Sequence, residues 1–251
     1  MKLEILHKSD QVDGQFNGGA ILEKRPVVYQ GEKTFPYSNL FYWAHAWSEK
    51  GSTIGLHPHQ GFEILTFILK GSIEHFDTKN QQWIPLNEGS VQIIRSGSGI
   101  SHAEKVNPNS SIFQIWFDPD LNKTIREAAS YNDYAPDSFK TESKNGMIVK
   151  TFKGDHAPIE MKSEGVAIRE YRLKKGIHQL PISNDEMIST FLVEGSIALN
   201  NDGIKEKIEA GDFFKAQEAT LLTLEALEDS WLFVIESPVQ PSYSTYASMN
   251  F

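Results

Sequence analysis

TFILKGSI, residues 66–73, returns 124 residues later as TFLVEGSI, residues 190–197, with five of eight positions identical. Each copy is a β-branched and aromatic run, a Gly-Ser turn, and the start of another run. Downstream, NEGSVQII (87–94) is echoed by EAGDFFKA (209–216). Two matches in the same order, one in each half, indicate two copies of one β-domain. The rest of the chain keeps the same rhythm. Short apolar runs, EILTFIL (63–69), SVQIIR (90–95), SIFQIWF (111–117), STFLVE (189–194) and WLFVIE (231–236), are separated by Gly, Pro, Asn or Asp. That spacing predicts an all-β sandwich or barrel in each half. The expected division is 1–135 and 136–251.

One segment breaks the pattern. Asp118-Pro119 followed by DLNKTIREAA predicts a short helix, with Asp at its start and Pro in its first turn. The polar stretch 130–146, SYNDYAPDSFKTESKNG, reads as linker. The tail after Pro238 is expected to return across the first domain.

Composition narrows the function classes. The 251 residues are 39% hydrophobic and 23% charged, with formal charge -9. Lys and Arg never run longer than two, so direct nucleic-acid binding is disfavoured. No apolar block is long enough for a membrane span, and the opening residues lack a signal-peptide pattern, so a cytoplasmic location is expected. Cysteine is absent, which leaves His, Asp and Glu to hold any metal.

Four of the eight histidines, His57, His59, His75 and His102, fall between positions 57 and 102. His57 and His59 are two apart, as are His102 and Glu104, so on strands each pair shares a face. Two such pairs on facing strands would converge on one point. Glu63 has the strand parity of His57 and His59, so spacing alone leaves two candidate carboxylates. His7, His45, His156 and His178 have no partner at ligand spacing. Most aromatics, such as Phe41, Tyr42, Trp43, Phe113 and Trp116, read as core, with a few available to line a pocket. Phosphate-cradling loops and a G-x-S-x-G nucleophile turn are absent from the sequence.

Residues 51–71, G-x5-H-P-H-x3-E-x7-G, resemble the first cupin motif, and 88–107, EGSVQIIRSGSGISHAEKVN, resemble the second. HPHxGFE, the stretch around Gly71 to His75, and S-G-x-G-I-x-H-A-E are similar to the pirin family of bicupins. The resemblance implies two jelly-roll barrels (double-stranded β-helices) packed together, with the ion in the first. It implies one divalent ion, usually iron, on His57, His59, His102 and Glu104; nickel, copper, manganese and zinc fit the same donors. Glu63, His75, Gln60 and Arg95 are then expected beside the ligands or in the pocket. Gln60 stands where pirins usually carry Arg, and Ile94-Arg95-Ser96 departs from their Met-Thr-Ala.

The activity implied is cleavage of quercetin or a related flavonol with O2, with Glu104 as general base, in a monomeric protein. The alternative is a non-enzymatic regulator whose ion supports a protein-binding surface. The second half is expected to have lost its ion: a shift of 124 residues carries His57 onto Pro181, His59 onto Ser183 and Glu63 onto Met187.

Overall fold

The computed structural model describes every residue except 30–32, 34, 145, 184, 202 and 249–251. Its strands, in chain order, begin with β1 Lys2–Leu6, β2 Val12–Phe16, β3 Ile21–Val27, β4 Leu40–Ser48, β5 Ser52–His59 and β6 Glu63–Lys70. Next come β7 Ser72–Asp77, β8 Trp83–Asn87, β9 Val91–Arg95, β10 Ile100–Val106, β11 Ser110–Phe117 and β12 Ser130–Tyr134. The remainder are β13 Thr141–Lys144, β14 Met147–Lys153, β15 Ala167–Leu173, β16 Gly176–Pro181 and β17 Glu186–Glu194. They are followed by β18 Ser196–Asn201, β19 Ile204–Glu209, β20 Phe213–Gln217, β21 Leu221–Ala226 and β22 Ser230–Pro238.

The chain forms two compact units. The first comprises Gln11–Ser138, Met161–Ser163 and Tyr243–Phe251; the second comprises Met1–Asp10, Phe139–Glu160 and Glu164–Ser242. The ends are thus exchanged relative to a cut near residue 135. The first unit has a seven-stranded sheet, β12-β9-β6-β11-β4-β3-β2, and a four-stranded sheet, β5-β10-β7-β8. The second repeats this as β1-β20-β17-β22-β15-β14-β13 and β16-β21-β18-β19. Position for position, β1 occupies in the second unit the edge that β12 occupies in the first.

The sequence repeat has a backbone cause. Gly71 and Gly195 both sit at positive φ, 73° and 89°, where a side chain is strained. A Cβ at either position would also run into a serine hydroxyl on the next long strand, Ser110 or Ser230. The strand β6 after the first histidine pair is buried along seven of its eight residues, as an interior strand covered on both faces should be. By contrast β7 alternates, turning Ile73, His75 and Asp77 inward. The core of the first unit gathers Ile21, Ile68, Ile73, Leu86, Val106 and Ile112 between its sheets.

Two expectations are corrected. The helix shrinks to one turn, Leu121–Thr124, capped by the Asp120 carboxylate, which accepts from the Asn122 amide. Beyond it Ile125 and Glu127 continue only as hydrogen-bonded turns. The stretch 130–146, expected as linker, is largely strand: Ser130–Tyr134 pairs residue by residue with β9, and Thr141–Lys144 pairs with β14. Tyr131, Asp133 and Tyr134 have polar ends and strand-compatible bodies, so composition alone misclassifies them. The tail does fold onto the first unit. Thr245 Oγ1 donates to the Ser38 carbonyl, the Tyr246 amide to the Asp118 carboxylate, and the Tyr246 ring lies 5.1 Å from both Phe41 and Phe62. The last three residues of the tail lie outside the described residues.

Candidate functional site

Strand register brings the histidines together. His57 on β5 faces His102 on β10, and His59 faces Ile100. One extra residue on β5, between Ile54 and His57, makes a bulge there, the device that commonly re-aims side chains beside a site. Ring centroids of His57, His59 and His102 are 4.4–4.8 Å apart pairwise. One ring nitrogen from each lies within 4.8 Å of the other two. This is the cluster of metal-ligating groups found among the described residues.

The electrostatics suit a cation. The Gly55 carbonyl, 2.8 Å from His57 Nδ1, can only accept, so Nδ1 carries a proton, and in the neutral ring Nε2 is the nitrogen with the lone pair. His59 Nε2 and both ring nitrogens of His102 are buried without a hydrogen-bond partner. Orphaned buried nitrogens are costly unless something fills the gap, and a divalent ion does so. Burial, helped by the neighbouring imidazoles, pushes His59 and His102 down to about 3. Neutral imidazole is the form that ligates. The unfolded imidazoles bind protons below about 6.5. The metal-free protein is therefore fully stabilised by these groups above pH 6.5 and loses that contribution as pH falls towards 3. Urea midpoints of the metal-free protein at pH 7 and pH 5 check this: the midpoint drops at pH 5, and the drop shrinks in a His59→Leu variant.

Glu104 is buried but lies outside the three-histidine cluster. Its carboxylate accepts from Thr66 Oγ1 at 3.2 Å and from Gln114 Nε2 at 2.6 Å. Gln114 is oriented in turn by Trp116, whose indole Nε1 donates to its Oε1 at 3.3 Å. The same indole meets His59 edge-on, 4.9 Å between centroids. Trp116 therefore touches one imidazole directly and the carboxylate through Gln114.

A cavity of about 560 Å³ opens beside these groups. His57, His59, Glu104, Gln114 and Trp116 line it, with Phe16, Val28, Tyr29, Phe41 and Ile54 as apolar walls. That volume fits a drug-sized aromatic molecule. Arg25, Tyr42 and Gly55 complete the lining. Gln114, Trp116, Thr66 and Arg25 were not singled out as site residues from sequence. Gln114 and Trp116 share strand parity on β11 within FQIWF, where Gln114 is a polar residue among apolar neighbours, and that was the available signal.

The four residues expected beside the ligands divide. His75 lies beneath the cluster, its ring 5.6 Å from His102, and its Nε2 donates to the Asp77 carboxylate at 3.2 Å. Both are fully buried. Glu63, Gln60 and Arg95 do not line the cavity. Gln60 is exposed and donates to the Ser98 carbonyl; Arg95 reaches across the sheet to Asn132 at 2.8 Å. Glu63 accepts from the Lys162 amide (2.7 Å), the Ser163 amide (2.9 Å) and the Ser163 hydroxyl (2.7 Å). With three donors satisfied, its carboxylate is committed to fastening the Met161–Ser163 segment. Glu63→Ala orphans those donors and should cost about 2–4 kcal/mol in denaturant unfolding, at unchanged metal content. Lost metal binding at retained stability would contradict this role.

Register also shows what the second unit carries at the equivalent positions. Ile73 pairs with Val106, and its repeat counterpart Ile197 pairs with Ala226. Glu104 and His102 then correspond to Leu224 and Leu222. Across the ladder His102 faces His57, whereas Leu222 faces Leu180. Pro58 and Pro181 coincide, and His59 falls on Ile182. The constant shift of 124 is thus one residue too long here, because β16 lacks the β5 bulge. Leu180, Ile182, Leu222 and Leu224 are all buried in one apolar cluster.

Comparisons with known proteins agree with this geometry. Residues 24–117 match the Pirin family model. Quercetin 2,3-dioxygenase of Escherichia coli O157:H7 is 27% identical over 197 residues, spanning 76% of this chain and 78% of that protein. The crystal structure of the Escherichia coli pirin YhhW in complex with nickel(II) superposes with a TM-score of 0.75 at 19% identity, covering 94% of this chain and 99% of that one. A quercetin 2,3-dioxygenase structure from Acinetobacter baumannii gives a TM-score of 0.80 at 16% identity, covering 95% and 79%. With the HPH and HAE segments on facing strands of the first unit, the chain carries a region matching the Pirin family over residues 24–117, in a cupin-like fold.

Proposed function

We propose that the protein is a metal-dependent dioxygenase that opens quercetin or a related flavonol with O2. The observation that carries this reading is a cluster of three imidazoles with unpartnered nitrogens, beside a buried carboxylate, at the edge of an aromatic-walled cavity. The ion would be held by His57, His59 and His102, with Glu104 as the fourth donor or poised beside it. When bound, a divalent ion lowers the pKa of a substrate hydroxyl and stabilises the oxyanion it leaves.

The chain's own residues supply the rest. Glu104, oriented by Thr66 and Gln114, accepts the proton of the substrate's enolic hydroxyl. Phe41, Trp116 and the apolar walls hold the flat ring system and keep bulk water from the reacting edge. His75, fixed by Asp77, packs under His102 and limits its movement. The leucines at the equivalent positions of the second unit leave no donor set, and we assign it no ion.

The test is metal analysis of the purified protein followed by oxygen uptake on a panel of flavonols after reconstitution with iron, nickel, copper, manganese or zinc. One ion per chain with flavonol-dependent oxygen uptake supports the reading. Stoichiometric metal with no uptake for any flavonol and any of these ions would leave the regulator reading in its place.

A further inference from the structure

The cavity is not uniformly apolar. Besides its imidazoles its wall carries a guanidinium, that of Arg25, beside the Tyr42 ring. Arg25 is on β3 where the pairing with β4 slips by one residue between Lys24 and Val27, a bulge that turns this side chain out of the regular ladder. Its Nε and Nη2 both donate to one oxygen of Glu23, which leaves Nη1 outside that ion pair. Gly14, opposite Glu23 on β2, makes room for the pair: a Cβ there would strike both Arg25 and Glu23.

Such a pair is a poor way to stabilise a barrel wall, since burying two charges costs about what their attraction returns. As a recognition device it is well made. Glu23, almost fully buried, fixes the guanidinium plane, while Arg25 keeps about a sixth of its side-chain surface open. An Arg held this way offers paired N–H groups to an oxygen anion in a fixed direction. Among the described residues, Arg25 is the one permanently cationic side chain lining the cavity.

We propose that Arg25 selects substrates: the site takes aromatic molecules carrying a second acidic oxygen, a phenolic hydroxyl or carboxylate, in addition to the oxygen directed at the imidazoles. The inference rests on the reading of the histidine cluster as a metal centre that receives an aromatic oxygen. It does not depend on the substrate being a flavonol.

The experiment measures binding to the metal-loaded protein under argon, so that turnover does not interfere. Two ligand pairs are used: quercetin against 3-hydroxyflavone, and protocatechuate against catechol. In the wild-type chain the member with the additional acidic oxygen binds about tenfold tighter or more. Arg25→Gln brings the two members of a pair to within about threefold of each other, and Arg25→Lys restores part of the preference. Should Arg25→Gln leave Glu23 uncompensated and the protein unfolded, the Glu23→Gln/Arg25→Gln double variant removes both charges together and carries the same expectation. Metal content and unfolding midpoint are read alongside. If neither flavonol binds while protocatechuate is still preferred through Arg25, the flavonol reading fails and the selection stands. No preference in either pair, or a preference that survives in Arg25→Gln, overturns it.

Discussion

A His102→Ala chain should purify folded and without stoichiometric metal. His102 is fully buried, and both of its ring nitrogens are unpartnered in the metal-free fold. Its removal therefore takes away no hydrogen bond that the barrel relies on. The cavity left behind is offset by two fewer orphaned polar atoms, so stability without metal should move by no more than about 1–2 kcal/mol. The metal-linked part disappears entirely. A wild-type chain at an ion concentration a hundredfold above Kd gains about 2.7 kcal/mol of stability. The variant should gain almost nothing at that concentration, because two imidazoles remain of three. The readouts are elemental analysis and melting temperature with and without added Fe2+ or Ni2+. A variant that keeps one ion per chain, or keeps the full metal-dependent shift, would remove His102 from the site.

The second large effect falls on turnover. In Glu104→Gln the side chain keeps its shape, and its hydrogen bonds can be remade. The amide oxygen accepts from Gln114 as the carboxylate did, and the amide nitrogen donates to Thr66, whose hydroxyl accepts as readily as it donates. Fold and the three-imidazole cluster are preserved, so metal should be largely retained. What is lost is a basic oxygen. Oxygen-dependent flavonol cleavage should fall by roughly 10²–10⁴, carried by kcat with little change in KM. Activity within about threefold of wild type would mean that the proton leaves by another route.

Much of the fold was legible because it rests on local signals. The five runs quoted from the sequence lie in strands apart from Ser90 at the start of one, and the Gly-Ser turns of the repeat mark where a side chain cannot fit. What local pattern could not show was pairing across distance. Ser130–Tyr134 has too many polar atoms to read as strand until β9 is seen beside it. The helix at Leu121 stops after one turn although Arg126–Ala129 would extend it; the Glu127 carbonyl instead accepts from the Ser98 amide. At the site, the three histidines expected from i and i+2 spacing do lie together, because strand parity is a local property. Parity also kept Glu63 in contention, and only the fold reveals that its oxygens are occupied by Lys162 and Ser163. Arg25 lay beyond sequence reasoning for the opposite reason: nothing within its own strand announces that a bulge turns it toward the cavity.

The exchanged ends set a timetable for folding. Strand β1 completes the second unit's larger sheet against β20, and His7 reaches Asp212 across 205 residues of chain. At ribosomal rates of roughly 5–20 residues per second, β1 waits on the order of 10–40 s for its partner to be made. Throughout that time it is an unpaired strand, a ready template for the wrong neighbour. Lys2 and Glu4, both exposed and alternating with Leu3 and Ile5, are the kind of charged residues that discourage such pairing while the ribosome works. The first unit has its own late arrival, the segment around Tyr246 that lies on Phe41 and Phe62. Neither unit is finished until nearly all of the chain has been synthesised, so a nascent protein stalled after residue 138 would hold most of the site's residues in a barrel still missing its last pieces.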